Sequence, residues 1–168
     1  MNIDKQISAS SVAEVYEYNG FFWVIEKSFQ IWPDKGGPTE RVALAGHLPV
    51  NCPSDEMGRV CFDALLNFNS KGPSYKPWEL AELRKLFCSW VGARGWTSFY
   101  KNSRYLWVTS NELDKIKITP VDNCNIFPYE SGFDDSAVYV NRCDGVKVLG
   151  EGIFKAFKYA TYHPDKKV

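Results

Sequence analysis

The chain has 168 residues, and its 20 Lys+Arg against 20 Asp+Glu leave no formal net charge. This is the size of one ordinary domain, able to bury roughly 70% of its unfolded surface. Hydrophobic residues make up 45% and charged residues 24%, an average globular composition that excludes a disordered or fibrous chain, while the charge balance excludes a protein that grips nucleic acid through massed Lys and Arg.

Residues 1–12 are mostly polar and read as a loosely held N-terminus, without the apolar run of a signal peptide or a membrane span. Residues 13–162 read as a single α+β domain, and 163–168 as a basic C-terminal tail. Segments 15–18 and 21–26 are rich in β-branched and aromatic residues and flank Asn19-Gly20, a strong hairpin signal. After a Pro- and Gly-containing loop at 32–39, residues 41–44 form a short strand. Ser54, Asp55 and Glu56 then open a helix, in which Met57, Cys61, Ala64, Leu65 and Phe68 recur at helical spacing.

Pro77 is placed to begin a second helix, with Leu80, Leu83, Phe87, Trp90 and Val91 on one face and Gly92 or Gly95 at its end. Strand character returns at 98–100, 105–109 and 116–119. In the last of these, Ile116 and Ile118 alternate with Lys115 and Lys117, so one face is buried and one wet. A long loop over 120–135, a strand over 137–141 and a third helix over about 149–160 complete the chain. The expected architecture is a curved, mainly antiparallel sheet packed with about three helices.

An internal echo accompanies this order. Met57-Gly58, Cys61-Phe62 and Ala64-Leu65 match Leu149-Gly150, Ile153-Phe154 and Ala156-Phe157 in spacing, and Phe22-Trp23-Val24 resembles Leu106-Trp107-Val108. A strand-strand-helix unit occurring twice would produce it, as would two helices that share an amphipathic register.

Catalytic signatures are absent: the sequence contains no phosphate loop, no nucleophile elbow, no His-Glu-x-x-His and no dinucleotide fingerprint. Its two histidines, His47 and His163, leave little from which to build an oriented imidazole. The enzymatic alternative is a small hydrolase or transferase using His47 with a carboxylate. Stacking of single-stranded nucleic acid on Trp and Tyr is a weaker alternative still. Five cysteines, at 52, 61, 88, 124 and 143, are odd in number, widely spaced and without a Cys-x-x-Cys pair, as expected of reduced thiols in a cytoplasmic protein. His47, Cys52 and Cys61 make no convincing zinc set, and no catalytic, cofactor-binding or metal site is assigned.

The remaining signal is local. Between residues 112 and 135 six acids (Glu112, Asp114, Asp122, Glu130, Asp134, Asp135) face two bases (Lys115, Lys117), and Phe127, Tyr129 and Phe133 lie among them. A solvated loop explains this stretch. So does a docking surface for a basic partner built on Tyr129, Glu130, Phe133, Asp134 and Asp135, with opposed fields speeding encounter and aromatic anchors supplying affinity.

From residue 55 onward the sequence resembles the CdiI immunity proteins of bacterial contact-dependent growth inhibition. The resemblance is carried by Met57-Gly58 with Val60, Ala64 and Leu65, then Trp90-Val91-Gly92 followed by Trp96-Thr97-Ser98-Phe99-Tyr100. Tyr105 to Val108, Ile116 to Pro120, and Leu149-Gly150 with Ile153 and Ala156 complete it, over about two-thirds of the chain. It implies a curved antiparallel sheet decorated with helices, and a non-catalytic protein that forms a heterodimer with a cognate toxin C-terminal domain, expected to be a nuclease. In some members the toxin adds a hairpin to the immunity protein's sheet, a mode in which main-chain bonds supply affinity and side-chain pockets supply specificity. The resemblance transfers no binding residue and implies neither nucleic acid nor membrane as a partner.

Overall fold

The structure, a computed structural model, describes residues 11–32, 37–66, 74–75, 79–112, 114–123 and 131–166. The chain runs β1 (Ser11–Tyr18), β2 (Phe21–Trp32), β3 (Gly37–Pro49), α1 (Ser54–Leu66), β4 (Ser74–Tyr75), α2 (Leu80–Val91) and α3 (Trp96–Asn102). It continues through β5 (Arg104–Glu112), β6 (Lys115–Asp122), β7 (Ser131–Gly132), β8 (Val138–Asn141) and α4 (Gly145–Phe157).

The hairpin read from Asn19-Gly20 is present, with φ of 51° at Asn19 and 81° at Gly20. Two consecutive positive φ angles give the backbone twist that a tight two-residue β-turn requires. Both arms are longer than the sequence pattern marked, because pairing with β3 on one side and β5 on the other extends them. The strands form one open antiparallel sheet in the order β4-β3-β2-β1-β5-β6-β7, with β8 also on the outer edge of β6. An irregularity between Val24 and Ile25 interrupts the β2–β3 ladder, as bulges do where a sheet bends.

Helices cover both faces. On the first face α1 and α4 bury Met57, Cys61, Ala64 and Leu65 together with Leu149, Ile153, Ala156 and Phe157, against Val15, Val24, Leu106 and Ile118. On the second, α2 and α3 bury Leu83, Phe87 and Phe99 against Tyr16, Ile25 and Tyr105. The rings of Tyr16 and Tyr105 stack at 4.7 Å.

One expected strand is a helix. Residues 98–100 lie inside α3, where Trp96, Phe99 and Tyr100 occupy one helical face and pack inward. Aromatic content suggested strand, but the spacing of these three residues is helical, and the packing of Phe99 against Phe87 at 5.1 Å decides the outcome. Four α-helices are therefore present among the described residues instead of about three. Pro77 lies outside the described residues; α2 runs from Leu80 to Val91 and is capped by Gly92, whose φ is 68°. The segment read as loop from residue 120 still belongs to β6 as far as Asp122.

The helix part of the internal echo marks equivalent places. A side chain at Gly58 would meet the carbonyl oxygen of Val146 at 1.7 Å, and one at Gly150 would meet that of Ser54 at 1.7 Å. Each glycine thus lies against the residue four positions before its counterpart, and α1 and α4 cross with their backbones in contact. The strand part of the echo does not correspond: Phe22-Trp23-Val24 lies in β2, the second strand of its half, and Leu106-Trp107-Val108 in β5, the first.

Residues beyond α4 run back over the first face. Arg104 donates to Glu17 Oε2 at 2.7 Å and to the Phe157 carbonyl at 2.8 Å, and the Tyr162 hydroxyl donates to Glu17 Oε1 at 2.8 Å. Thr161 donates to Asp122 at 2.8 Å. His163 and Asp165 at the start of the basic tail are tied in too, with Lys101 and Asp165 2.8 Å apart. No described helix is long and apolar enough to cross a membrane.

Candidate functional site

Helices α2 and α3 cover only part of the second sheet face. Beside them lies an open groove of about 490 Å³ over β1, β2, β5 and β6. Strand alternation places its floor: residues two apart share a face, so Val12 and Glu14 of β1, Trp107 and Thr109 of β5, and Lys117 and Thr119 of β6 point the same way. The register lines up Lys27, Val12, Thr109, Lys117 and Tyr139 as one row across five strands. Ile25, Glu14, Trp107 and Thr119 form the next row. Gly132 of β7 closes one wall, so close that a side chain there would come within 2.6 Å of the Thr119 methyl and 3.1 Å of the Trp107 ring.

Four charges border this groove, and they differ in access. Glu14 is buried, and both its oxygens are engaged, Oε2 by the Tyr16 hydroxyl at 2.7 Å and Oε1 by the Lys27 ammonium at 2.9 Å. Such a carboxylate is satisfied as it stands. Asp134 sits at the rim on the single 3-10 turn of Asp134–Ser136 and pairs with Lys117. Its side chain is 76% exposed against 26% for Lys117. The hydrogen bond to Asp134 holds the Lys117 ammonium above its ordinary pKa, with Tyr139 adding to the effect. A smaller cavity of about 140 Å³ adjoins the groove through Glu14 and Lys27 and reaches Arg84, Phe87 and Trp96 under α2. The Arg84 guanidinium lies over the Trp96 ring at 5.4 Å.

The sequence-derived docking residues fall into two groups. Tyr129 and Glu130 lie outside the described residues. Phe133 is half-buried, and its N–H donates to the Pro120 carbonyl at 2.8 Å, at the start of the turn that carries Asp134 to the groove rim. The acidity of the 112–135 stretch is partly consumed internally, since Asp134 pairs with Lys117 and Asp122 accepts from Thr161. Asp135 is exposed. The groove floor is what sequence reading missed, because Glu14, Lys27, Trp107 and Lys117 come from four strands and share no local motif.

His47 is exposed on β3, with its ring stacked on Trp23 at 5.0 Å and tilted against Phe21 at 6.0 Å. Among the described residues no carboxylate hydrogen-bonds to it, and none therefore orients its ring for acid–base work. Cys52, Cys61 and Cys88 are buried free thiols and Cys143 an exposed one; burial pushes the Cys61 thiol well above its ordinary pKa. Cys124 lies outside the described residues. Among the described residues no three His, Cys, Asp or Glu side chains gather as a metal site.

No protein-family model matches the sequence, and no curated protein matches it either. Among solved structures the chain is similar to a protein of unknown function, NMB0488 from Neisseria meningitidis, with a TM-score of 0.65 and 15% sequence identity. The similarity covers 94% of this chain and 98% of that one. At this identity the likeness establishes a shared fold across nearly the whole chain.

Proposed function

We propose that the protein is a cytoplasmic, non-catalytic immunity protein that binds the C-terminal toxin domain of a cognate contact-dependent growth inhibition effector and neutralises it in a heterodimer. The sequence resemblance supplies the class of partner. The observation that carries a binding role is the open groove: among the described residues no helix covers this patch of the second sheet face, which has Trp107 in its floor and charges of both signs. An exposed concavity with an aromatic floor and a polar rim is the anatomy of a protein-binding surface.

Strand β3 offers a second element of the same reading. Only Glu40 and Arg41 pair with β4, and residues 42–49 have no strand on their outer side among the described residues. Unpaired N–H and C=O groups along such an edge suit an added strand from a partner.

Co-expression tests the function. The gene beside that of the toxin should protect cells from that toxin and no other, and the purified proteins should form a one-to-one complex with a dissociation constant in the nanomolar range or tighter. A well-folded protein that neither binds nor protects against any adjacent toxin would refute it.

A further inference from the structure

A second open concavity, of about 500 Å³, lies at the corner where α2 turns into α3. Trp96 belongs to its apolar lining, and Arg84, Lys85, Ser89 and Arg94 form its polar one. Among the described residues no carboxylate lines it, whereas in the groove over β1 and β5 the acids Glu14 and Asp134 offset Lys27 and Lys117.

The polar side chains of this corner are donors. The Arg84 guanidinium lies over the Trp96 ring at 5.4 Å, the Ser89 hydroxyl donates to the Leu86 carbonyl at 2.6 Å, and the buried Trp96 indole N–H meets no acceptor among the described residues. Lys85 and Arg94 are the accessible cations. Lys85 is bonded to Glu82 at 2.9 Å, but the two side chains are 73% and 63% exposed, and such a pair on a helix surface contributes little. Arg94 is exposed on the connection between the helices, and no ion pair engages it among the described residues. The corner is also continuous with the groove, because the smaller cavity under α2 has Arg84 and Trp96 at one end and Glu14 and Lys27 at the other.

We infer that the α2–α3 corner is the anion-accepting part of the partner interface, where a carboxylate of an acidic segment of the toxin domain binds Lys85 and Arg94 beside Trp96. The inference rests on the partner-binding reading above. A lining of donors suits a carboxylate, which only accepts, and opposed charges at a rim speed encounter and select the partner. A polynucleotide suits this face less, since a chain of phosphates running on from the corner would meet the exposed Asp134.

The test is calorimetric titration of the cognate toxin domain into the wild type, Lys85→Gln, Arg94→Gln, the double variant and Lys155→Gln. Lys155 is an exposed cation on α4, which packs on the first sheet face. Urea midpoints establish that each variant is folded. Each single change at the corner should weaken binding about threefold and the double change about tenfold, with Lys155→Gln matching the wild type. The double variant should also lose most of the fall in affinity that the wild type shows between about 0.05 and 0.5 M salt. Equal affinity of wild type and double variant would overturn the inference. So would tighter binding by the double variant, the sign of a basic partner surface, or an equal loss in Lys155→Gln, the sign of a general field.

Failure of the wild type to bind any toxin domain would instead overturn the functional reading. The corner is then judged by the fluorescence anisotropy of labelled hexaglutamate, with hexalysine and hexathymidylate as comparisons. Binding of hexaglutamate alone, lost in the double variant, sustains a site for acidic peptide. No binding of hexaglutamate, or hexathymidylate bound as well, would dismiss it.

Discussion

At the scale of single residues the best-defined chemistry lies around Glu17. Its two oxygens accept from Arg104 and from the Tyr162 hydroxyl, while the Arg104 guanidinium lies over the Tyr162 ring at 5.2 Å. Burial, helped by the bond to Glu17, pushes the Tyr162 phenol up from 10.0 to about 12. Below pH 10 the phenol is protonated in folded and unfolded chains alike, and its full contribution to stability is present. Between pH 10 and about 12 the unfolded chain loses its proton first, so that contribution drains away as pH rises. A spectrophotometric titration should show one phenol ionising near 12 that disappears in Tyr162→Phe. The same substitution should cost about 1 kcal/mol in urea unfolding at neutral pH, the usual worth of one hydrogen bond. If no tyrosine titrates late, Tyr162 is not held as described.

At the scale of elements the decisive contact is the crossing of α1 and α4. With Gly58 against the Val146 carbonyl and Gly150 against that of Ser54, any side chain at either position meets main chain, which has no rotamer by which to move aside. Gly58→Ala and Gly150→Ala should each cost about 3 kcal/mol or more, at the upper end of what overpacking does. Alanine at Gly92 also forfeits a positive φ, but it meets no neighbour and should cost about 1 kcal/mol. Urea denaturation of the three variants checks the ranking, and equal losses would contradict it. These elements also show which parts of the fold the sequence made legible. The stripes of α1 and α2 and the Asn19-Gly20 turn depend on residues close together in the chain, and periodicity or turn chemistry exposes them. The helix over 96–102 was obscured because Phe99 and Tyr100 favour strands in isolation, and only their packing against Phe87 and Trp96 selects the helix. Strand lengths were understated for a related reason, since β2 and β3 extend each other through pairing that no local pattern encodes.

At the scale of the whole molecule, two helix pairs sandwich a six-strand antiparallel core with two-residue strands added at its edges, and among the described residues a concave patch lies beside α2 and α3 on the second face. Many of the described aromatic residues build the two cores: Phe22, Phe154 and Phe157 form one ring cluster, and Tyr16, Phe87, Phe99 and Tyr105 another. Trp107 packs against the edge of the second cluster and also floors the groove. The candidate site was only partly legible for a physical reason. Of the stretch that composition marks, Asp134 lines the groove. Its floor is assembled by β1, β2, β5 and β6 side by side, so Glu14, Lys27, Trp107 and Lys117 become neighbours only through strand register. The zero net charge likewise resolves into pairs such as Glu14 with Lys27 and Asp134 with Lys117, and a count of residues shows none of them.

The measurement closest to the central claim, the proposed toxin neutralisation, is a calorimetric titration of the purified protein with the C-terminal domain of any toxin encoded beside it, made alongside a protection assay in cells expressing that toxin. The account predicts a one-to-one complex with nanomolar or tighter affinity and protection by the wild type. A folded wild type that gives no heat of binding and no protection would contradict it.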